Sequence, residues 1–110
     1  MTLGYQDEQP TREEIDATRG LVALEFGQNW CGFCARSAPA LNEALGNRPD
    51  VERIKVADGK GLPLGRSFKV KLWPTMILLR DGQEVARVVR PDSPREIDEA
   101  LDRALPNIIE

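Results

Sequence analysis

The chain of 110 residues contains no histidine and only two cysteines. Without histidine there is no Ser-His-Asp or Cys-His catalysis and no His-rich metal site. Two cysteines cannot build the disulfide framework of a small secreted domain, and a chain of this length does not need one. No apolar run approaches the ~18 residues of a transmembrane span. The opening segment, Met1 to Glu14, has neither a basic n-region nor an apolar h-region. No secretory signal is therefore expected, and the expected location is cytoplasmic. A basic surplus is missing too. The formal net charge is -3, which argues against the basic face that non-specific nucleic-acid binding requires.

What is present suits one globular domain, residues 1–110. Hydrophobic residues make up 41% and charged residues 30%, a balance typical of folded rather than disordered chains. Thr11-Arg12-Glu13-Glu14 is a T-x-x-E capping box, so a short helix is expected from about Arg12 to Arg19, ended by Gly20. Leu21 to Phe26 is an apolar run of strand length with one acid, Glu25, inside it. Such a strand is buried on both faces, with helices above and below the sheet. Beyond Cys34, Ala38, Leu41 and Leu45 recur at helical spacing up to Gly46, and Pro39 is expected to kink that helix. Val51 to Ala57 alternates as a second strand, making a strand-helix-strand unit. One or two helical turns are expected over Leu64 to Phe68, and a third strand over Thr75 to Arg80. Asp81-Gly82 signals a hairpin returning through Glu84 to Val89. A second capping box, Ser93 to Glu96, opens a last helix whose apolar face is Ile97, Ala100, Leu101, Ala104 and Leu105.

Two weaker patterns fail. Gly59 and Gly65 enclose five residues rather than a phosphate loop's four, and Arg66 stands where that loop needs Lys. A dinucleotide fingerprint fails because Leu64 occupies the place of its third Gly. The acids Glu13, Glu14, Glu96 and Glu99 read as helix caps and solvated faces.

The informative pair is Cys31 and Cys34, spaced C-x-x-C. In such a chain this reads as redox-active or metal-binding. Zinc normally takes four N or S ligands, and two sulfurs without histidine supply half of that set. The pair falls where the first strand meets the following helix, the end of the sheet at which α/β folds place their sites. A helix N-terminus offers unpaired N–H groups and partial positive charge. That favours a thiolate, which makes Cys31 the expected nucleophile. Cys34, one turn on, is spaced to reach back to Cys31 and resolve a mixed disulfide.

At this point the chain resembles the thioredoxin family. The residues that carry the resemblance are Phe26, Trp30-Cys31-Gly32-Phe33-Cys34, Pro39, Trp73-Pro74-Thr75 and Asp81-Gly82, spread over roughly Leu21 to Leu105. The resemblance implies a thioredoxin-like α/β fold, a three-layer α/β/α sandwich with a central mixed sheet. It implies that Pro74 is cis and lies against the sulfurs, and that the Trp73 backbone pairs with an extended substrate segment. Trp30, Gly32, Phe33 and Thr75 complete the implied substrate surface. Glu25 falls where the family keeps a buried acid beneath the second cysteine, suited to accept the proton of Cys34. Arg53 matches a basic position that accompanies this acid, and reads equally as a solvated strand residue. Several residues depart from the family's pattern. Phe33 replaces Pro, Glu25 replaces Asp, Ala35 replaces Lys, and Trp73 replaces a small or β-branched residue. Gly27 stands where Trp is frequent, and Arg90 stands near a Gly that keeps the substrate surface open.

The expected activity is thiol–disulfide exchange, as a reductase of protein disulfides acting as a monomer. No bound cofactor is expected, and no nucleic-acid or membrane partner. Electrons would come from a thioredoxin-reductase-type flavoprotein or from glutathione. The rival readings are a disulfide oxidase or isomerase, a non-catalytic binding module with a stable Cys31–Cys34 disulfide, and a metal or cluster shared by two chains.

Overall fold

Strand β1 (Leu21–Gly27) is buried along almost its whole length, and the other elements are arranged around it. The computed structural model describes residues 4–104. β1 runs parallel to β2 (Val51–Ala57) and antiparallel to β3 (Thr75–Arg80), and β4 (Gln83–Val89) pairs antiparallel with β3. The mixed sheet has the order β2-β1-β3-β4. Helices α1 (Arg12–Asp16), α2 (Gly32–Gly46), α3 (Pro63–Ser67) and α4 (Pro94–Ala104) complete the chain order α1-β1-α2-β2-α3-β3-β4-α4. Among the described residues, no helix is long and apolar enough to cross a membrane.

The two-residue period of a strand divides the core. On one face, Ala23, Met76 and Leu78 pack with Leu41, Ala44 and Leu45 of α2 and with Ile97, Ala100 and Leu101 of α4. On the other, Val22, Leu24, Phe26, Ile77 and Leu79 pack with Ile15 of α1, Leu64 of α3 and Phe68. This is the α/β/α sandwich that the resemblance implies. Neither face of β1 is exposed, which explains its almost unbroken apolar run. Glu25 shares the parity of Ala23, so the one acid of the strand lies on the side of α2 and α4.

The element boundaries differ from the sequence expectation at a few points. α1 stops at Asp16, not near Arg19. The Thr18 hydroxyl donates to the Ile15 carbonyl at 2.7 Å and closes the last turn, leaving Gly20 to lead into β1. α2, by contrast, ends at Gly46 as expected and contains Pro39, whose missing N–H leaves the Ala35 carbonyl without its helical partner. Its buried face is Cys34, Ser37, Ala40, Leu41, Ala44 and Leu45, and Ala38 is only half-buried. In the second capping box, the Glu96 carboxylate accepts from the Ser93 and Asp92 N–H groups. Leu105, expected on the face of α4, lies outside the described residues.

The β3–β4 hairpin turns at Asp81 (φ 50°) and Gly82 (φ 83°), the pair of positive φ values that a two-residue hairpin turn demands. Asp81 also ties this turn to the start of β1, through Gly20 N–H to its Oδ1 at 2.9 Å. A Cβ on Gly82 would stand 1.9 Å from the Asp16 carbonyl oxygen, a backbone atom that cannot swing away. Gly82→Ala therefore adds a clash to an unfavourable φ. It should cost about 1–3 kcal/mol, read as a lower urea midpoint with unchanged slope.

Candidate active site

β1 ends at Gly27, and four residues later Cys31 takes extended backbone angles (φ -86°, ψ 123°) as the N-cap of α2. Its sulfur occupies the place of a capping oxygen: Cys31 Sγ accepts the Cys34 N–H at 3.2 Å. No acidic residue stands in the first turn of α2, so the positive end of the helix faces this sulfur without competition. Both cysteines are free thiols, and both are buried.

Cys34 sits deeper, in a small cluster with Tyr5, Cys31 and Ala57, against which Leu62 and Trp73 pack. Burial pushes its thiol up to about 11, and its hydrogen bond with Cys31 pushes the same way. Hydrogen bonds with the Gln28 backbone and the Tyr5 side chain oppose that rise. Gly27 is required by crowding here. A Cβ at that position would lie 2.7 Å from both Cys34 Sγ and Tyr5 Cζ.

Glu25 is fully buried and its carboxylate is held by Arg53 through two contacts, one of them Nη2 to Oε1 at 3.0 Å. Of the two readings of Arg53, the partner of Glu25 is the one realised. A buried carboxylate needs such compensation, because an isolated charge is costly away from water.

The Trp73–Pro74 peptide bond is cis. Pro74 is buried, and Trp73 packs against the cysteine cluster. The Trp73 indole N–H donates to Asp58 Oδ2 at 2.9 Å, and Trp30 meets the same indole edge-on at 5.7 Å. Trp30 is 75% exposed and Phe33 48%, so both present apolar surface beside Cys31. Gly32 is exposed between them. Thr75 is different. It is buried, and its hydroxyl donates to the Leu72 carbonyl at 2.6 Å, so its side chain braces the turn rather than lining the surface.

Arg90 adopts φ 51°. Its N–H donates to the Pro74 carbonyl at 2.9 Å and its Nε to the Trp73 carbonyl at 2.7 Å. Its guanidinium lies 3.6 Å over the Phe33 ring. The Trp73 carbonyl, expected to be open to a partner strand, is thus already engaged.

Cys31, Cys34, Trp30, Phe33 and Trp73 are brought together, while Glu25 lies in the sheet beneath them. Sequence reasoning missed Tyr5 and Asp58. Asp58 follows β2 and reads as part of a glycine-rich turn, with nothing to announce its bond to Trp73. Tyr5 is a lone aromatic far from any motif. The available signal was Gly27, a residue without a side chain at a position where the resemblance implies Trp.

A dithiol at a helix N-terminus, set at the edge of a four-stranded α/β sandwich beside a cis-proline turn, defines a class of protein. Residues 5–103 match the Thioredoxin family model, and the chain belongs to the thioredoxin family. The solved structure of thioredoxin 2 from Pseudomonas aeruginosa PAO1 in its reduced form is 50% identical, with a TM-score of 0.83 over 93% of this chain and 94% of that one. A thioredoxin of Listeria monocytogenes is 31% identical over 91 residues, 82% of this chain and 88% of its own length. Thioredoxin H2-1 of Oryza sativa is 36% identical over 75 residues, 68% of this chain. The match spans only about half (54%) of the rice protein.

The raised value of Cys34 has two consequences. Alkylation of Cys34, followed by peptide mass mapping, should keep accelerating with pH up to about 11. A thiol that stays protonated in the folded state but ionises near 8.5–9 when unfolded also couples stability to pH. The stabilisation is complete below about 9 and is lost as pH rises through about 11, read as a falling denaturation midpoint of the reduced protein.

Proposed function

We propose that this protein is a thiol–disulfide oxidoreductase that reduces disulfides in protein substrates, working as one domain through a Cys31/Cys34 dithiol cycle. The observation that carries this reading is the free dithiol whose outer sulfur is capped by the Cys34 N–H at the start of α2. Cys31 is the nucleophile because it lies at the positive helix end and nearer the exposed surface. It attacks a substrate disulfide, forms a mixed disulfide and releases one substrate thiol. Cys34 then attacks Cys31 Sγ, forms the Cys31–Cys34 disulfide and releases the second thiol. Two electrons pass from the protein to the substrate, and an external donor, a flavoprotein reductase or glutathione, restores the dithiol.

Trp30, Phe33 and Trp73 supply the apolar contact surface, with the backbones of Gly32, Pro74 and Thr75 shaping its floor. Glu25 retains the proton-transfer role that membership of the family suggests, as half of its pair with Arg53. The aromatic rim, with the Arg90 guanidinium stacked on Phe33, favours substrates in which the disulfide is exposed by an extended segment. A cytoplasmic location fits a reductase, since thiols are kept reduced there.

A redox titration against defined thiol–disulfide buffers tests the direction of flux. A reversible two-electron transition near about -270 mV is expected, and a value near about -120 to -180 mV would instead mean disulfide formation or shuffling. Cys31→Ser should abolish turnover, and Cys34→Ser should accumulate mixed disulfides visible by mass spectrometry. Partner binding that is unchanged in both variants would point to a non-catalytic module. Arg90→Gly suits the positive φ and frees the Trp73 carbonyl. It should raise kcat/KM on an uncharged peptide disulfide by about two- to tenfold, the worth of one ordinary hydrogen bond.

A further inference from the structure

The N-terminal segment contributes an aromatic side chain to the buried sulfur. Residues Tyr5 and Gln6 run beside the end of β2, with Gln6 bridging to Val56. Gln6 N–H donates to the Lys55 carbonyl at 3.2 Å, and Ala57 N–H donates to the Gln6 carbonyl at 2.8 Å. Asn29, two residues before Cys31, grips Tyr5 at both backbone groups. Its Oδ1 accepts the Tyr5 N–H at 2.8 Å, and its Nδ2 donates to the Tyr5 carbonyl at 3.1 Å. Lys55 Nζ lies 4.7 Å over the Tyr5 ring. The backbone of Tyr5 is thereby fixed by Asn29, and one face of its ring is covered by Lys55.

The held ring points into the cysteine cluster. Tyr5 Cζ, the carbon that carries the hydroxyl, and Cys34 Sγ each lie 2.7 Å from the position that a Gly27 Cβ would take. They therefore flank the same missing atom. The volume opened by glycine at the end of β1 is filled by the phenol, and the phenol arrives from another part of the chain. An ordinary packing residue at this point would be Phe. A hydroxyl placed next to a sulfur has a further use.

We propose that Tyr5 is a catalytic side chain, whose hydroxyl donates a hydrogen bond to Cys34 Sγ as that sulfur becomes the attacking thiolate. This rests on the exchange reading above, and it concerns the second step. In that step the Cys34 S–H bond breaks, and Cys34 Sγ bonds to Cys31 Sγ. The bond from Cys31 Sγ to the substrate sulfur breaks with its electron pair going to the substrate. The proton lost by Cys34 ends on the departing substrate thiolate. Tyr5 keeps its own proton throughout. Burial, then the negative charges of Glu25 and Cys34, push its ionisation far above the physiological range, so it acts only as a donor. Its hydrogen bond lowers the raised value of Cys34, which is the direction that makes the resolving thiolate accessible. The other titratable or charged groups acting on this pair are Cys31, Glu25, Arg53 and Lys55, and Tyr5→Phe leaves all of them in place.

The test compares Tyr5→Phe with the parent in two settings. In the Cys31→Ser background, the pH midpoint of Cys34 alkylation by iodoacetamide should rise by about one unit, making the thiolate about tenfold rarer at pH 7. In the two-cysteine protein, turnover of a protein disulfide should fall at pH 7 and recover at higher pH, with the thermal midpoint showing an intact fold. A folded Tyr5→Phe protein with an unmoved midpoint overturns the proposal. So does turnover slowed equally at every pH, which marks lost packing only. If Tyr5→Phe does not fold, Asn29→Ala loosens the same ring and must move the midpoint in the same direction, or the proposal falls. A parent protein that reduces no disulfide at any pH, although its alkylation midpoint does respond to Tyr5→Phe, would overturn the exchange reading and leave Tyr5 without a catalytic role.

Discussion

The turn from Gly27 to Gly32 has to deliver two sulfurs to the open end of a helix, and much of the structure serves that geometry. α2 can begin there because β1 stops there. β1 can stop there because its buried length is covered on both sides by apolar helices. The N–H groups of the first turn of α2 have no helical partners. One of them is spent on Cys31 Sγ, so the backbone itself stabilises electron density on the outer sulfur. No charged side chain is needed for this, and none is present in that turn.

Two buried polar arrangements lie under the turn, and they answer the same difficulty. A charged group in the core is tolerated only when paired. Glu25 meets Arg53 from the neighbouring strand, which keeps a carboxylate inside a strand, β1, that is otherwise apolar. Asp58 meets the indole of Trp73, which orients the aromatic wall beside the sulfurs. Around the rim, Arg90 stacks on Phe33 and binds the carbonyls next to the cis peptide bond. Aromatic and cationic groups therefore cover a surface that a glycine at position 90 would leave open.

The order of elements could be read from the sequence with small errors at the ends. Capping boxes, an alternating strand and an Asp-Gly turn each act over a few residues, so their signals survive without tertiary context. The boundaries moved where a distant or local side chain intervened. Thr18 closed α1 early, whereas α2 runs through Pro39 to Gly46 as expected, its apolar face held against the sheet and α4. Thr75 turned inward because its hydroxyl found the Leu72 carbonyl, a bond that no spacing rule foretells.

By itself, the sequence marked where the chemistry sits. Two cysteines one helical turn apart, where a strand feeds directly into a helix, read as redox-active or metal-binding, and the resemblance to the thioredoxin family pointed to thiol–disulfide exchange, because those signals act between near neighbours. Only the tertiary structure decided the environment of each sulfur. Tyr5 stands 29 positions from Cys34 and Arg90 stands 17 from Trp73. Arg53 reaches Glu25 from the adjacent strand. These contacts depend on the register of parallel strands and on the path of the N-terminal segment, quantities fixed by the packing of the whole core rather than by any local pattern.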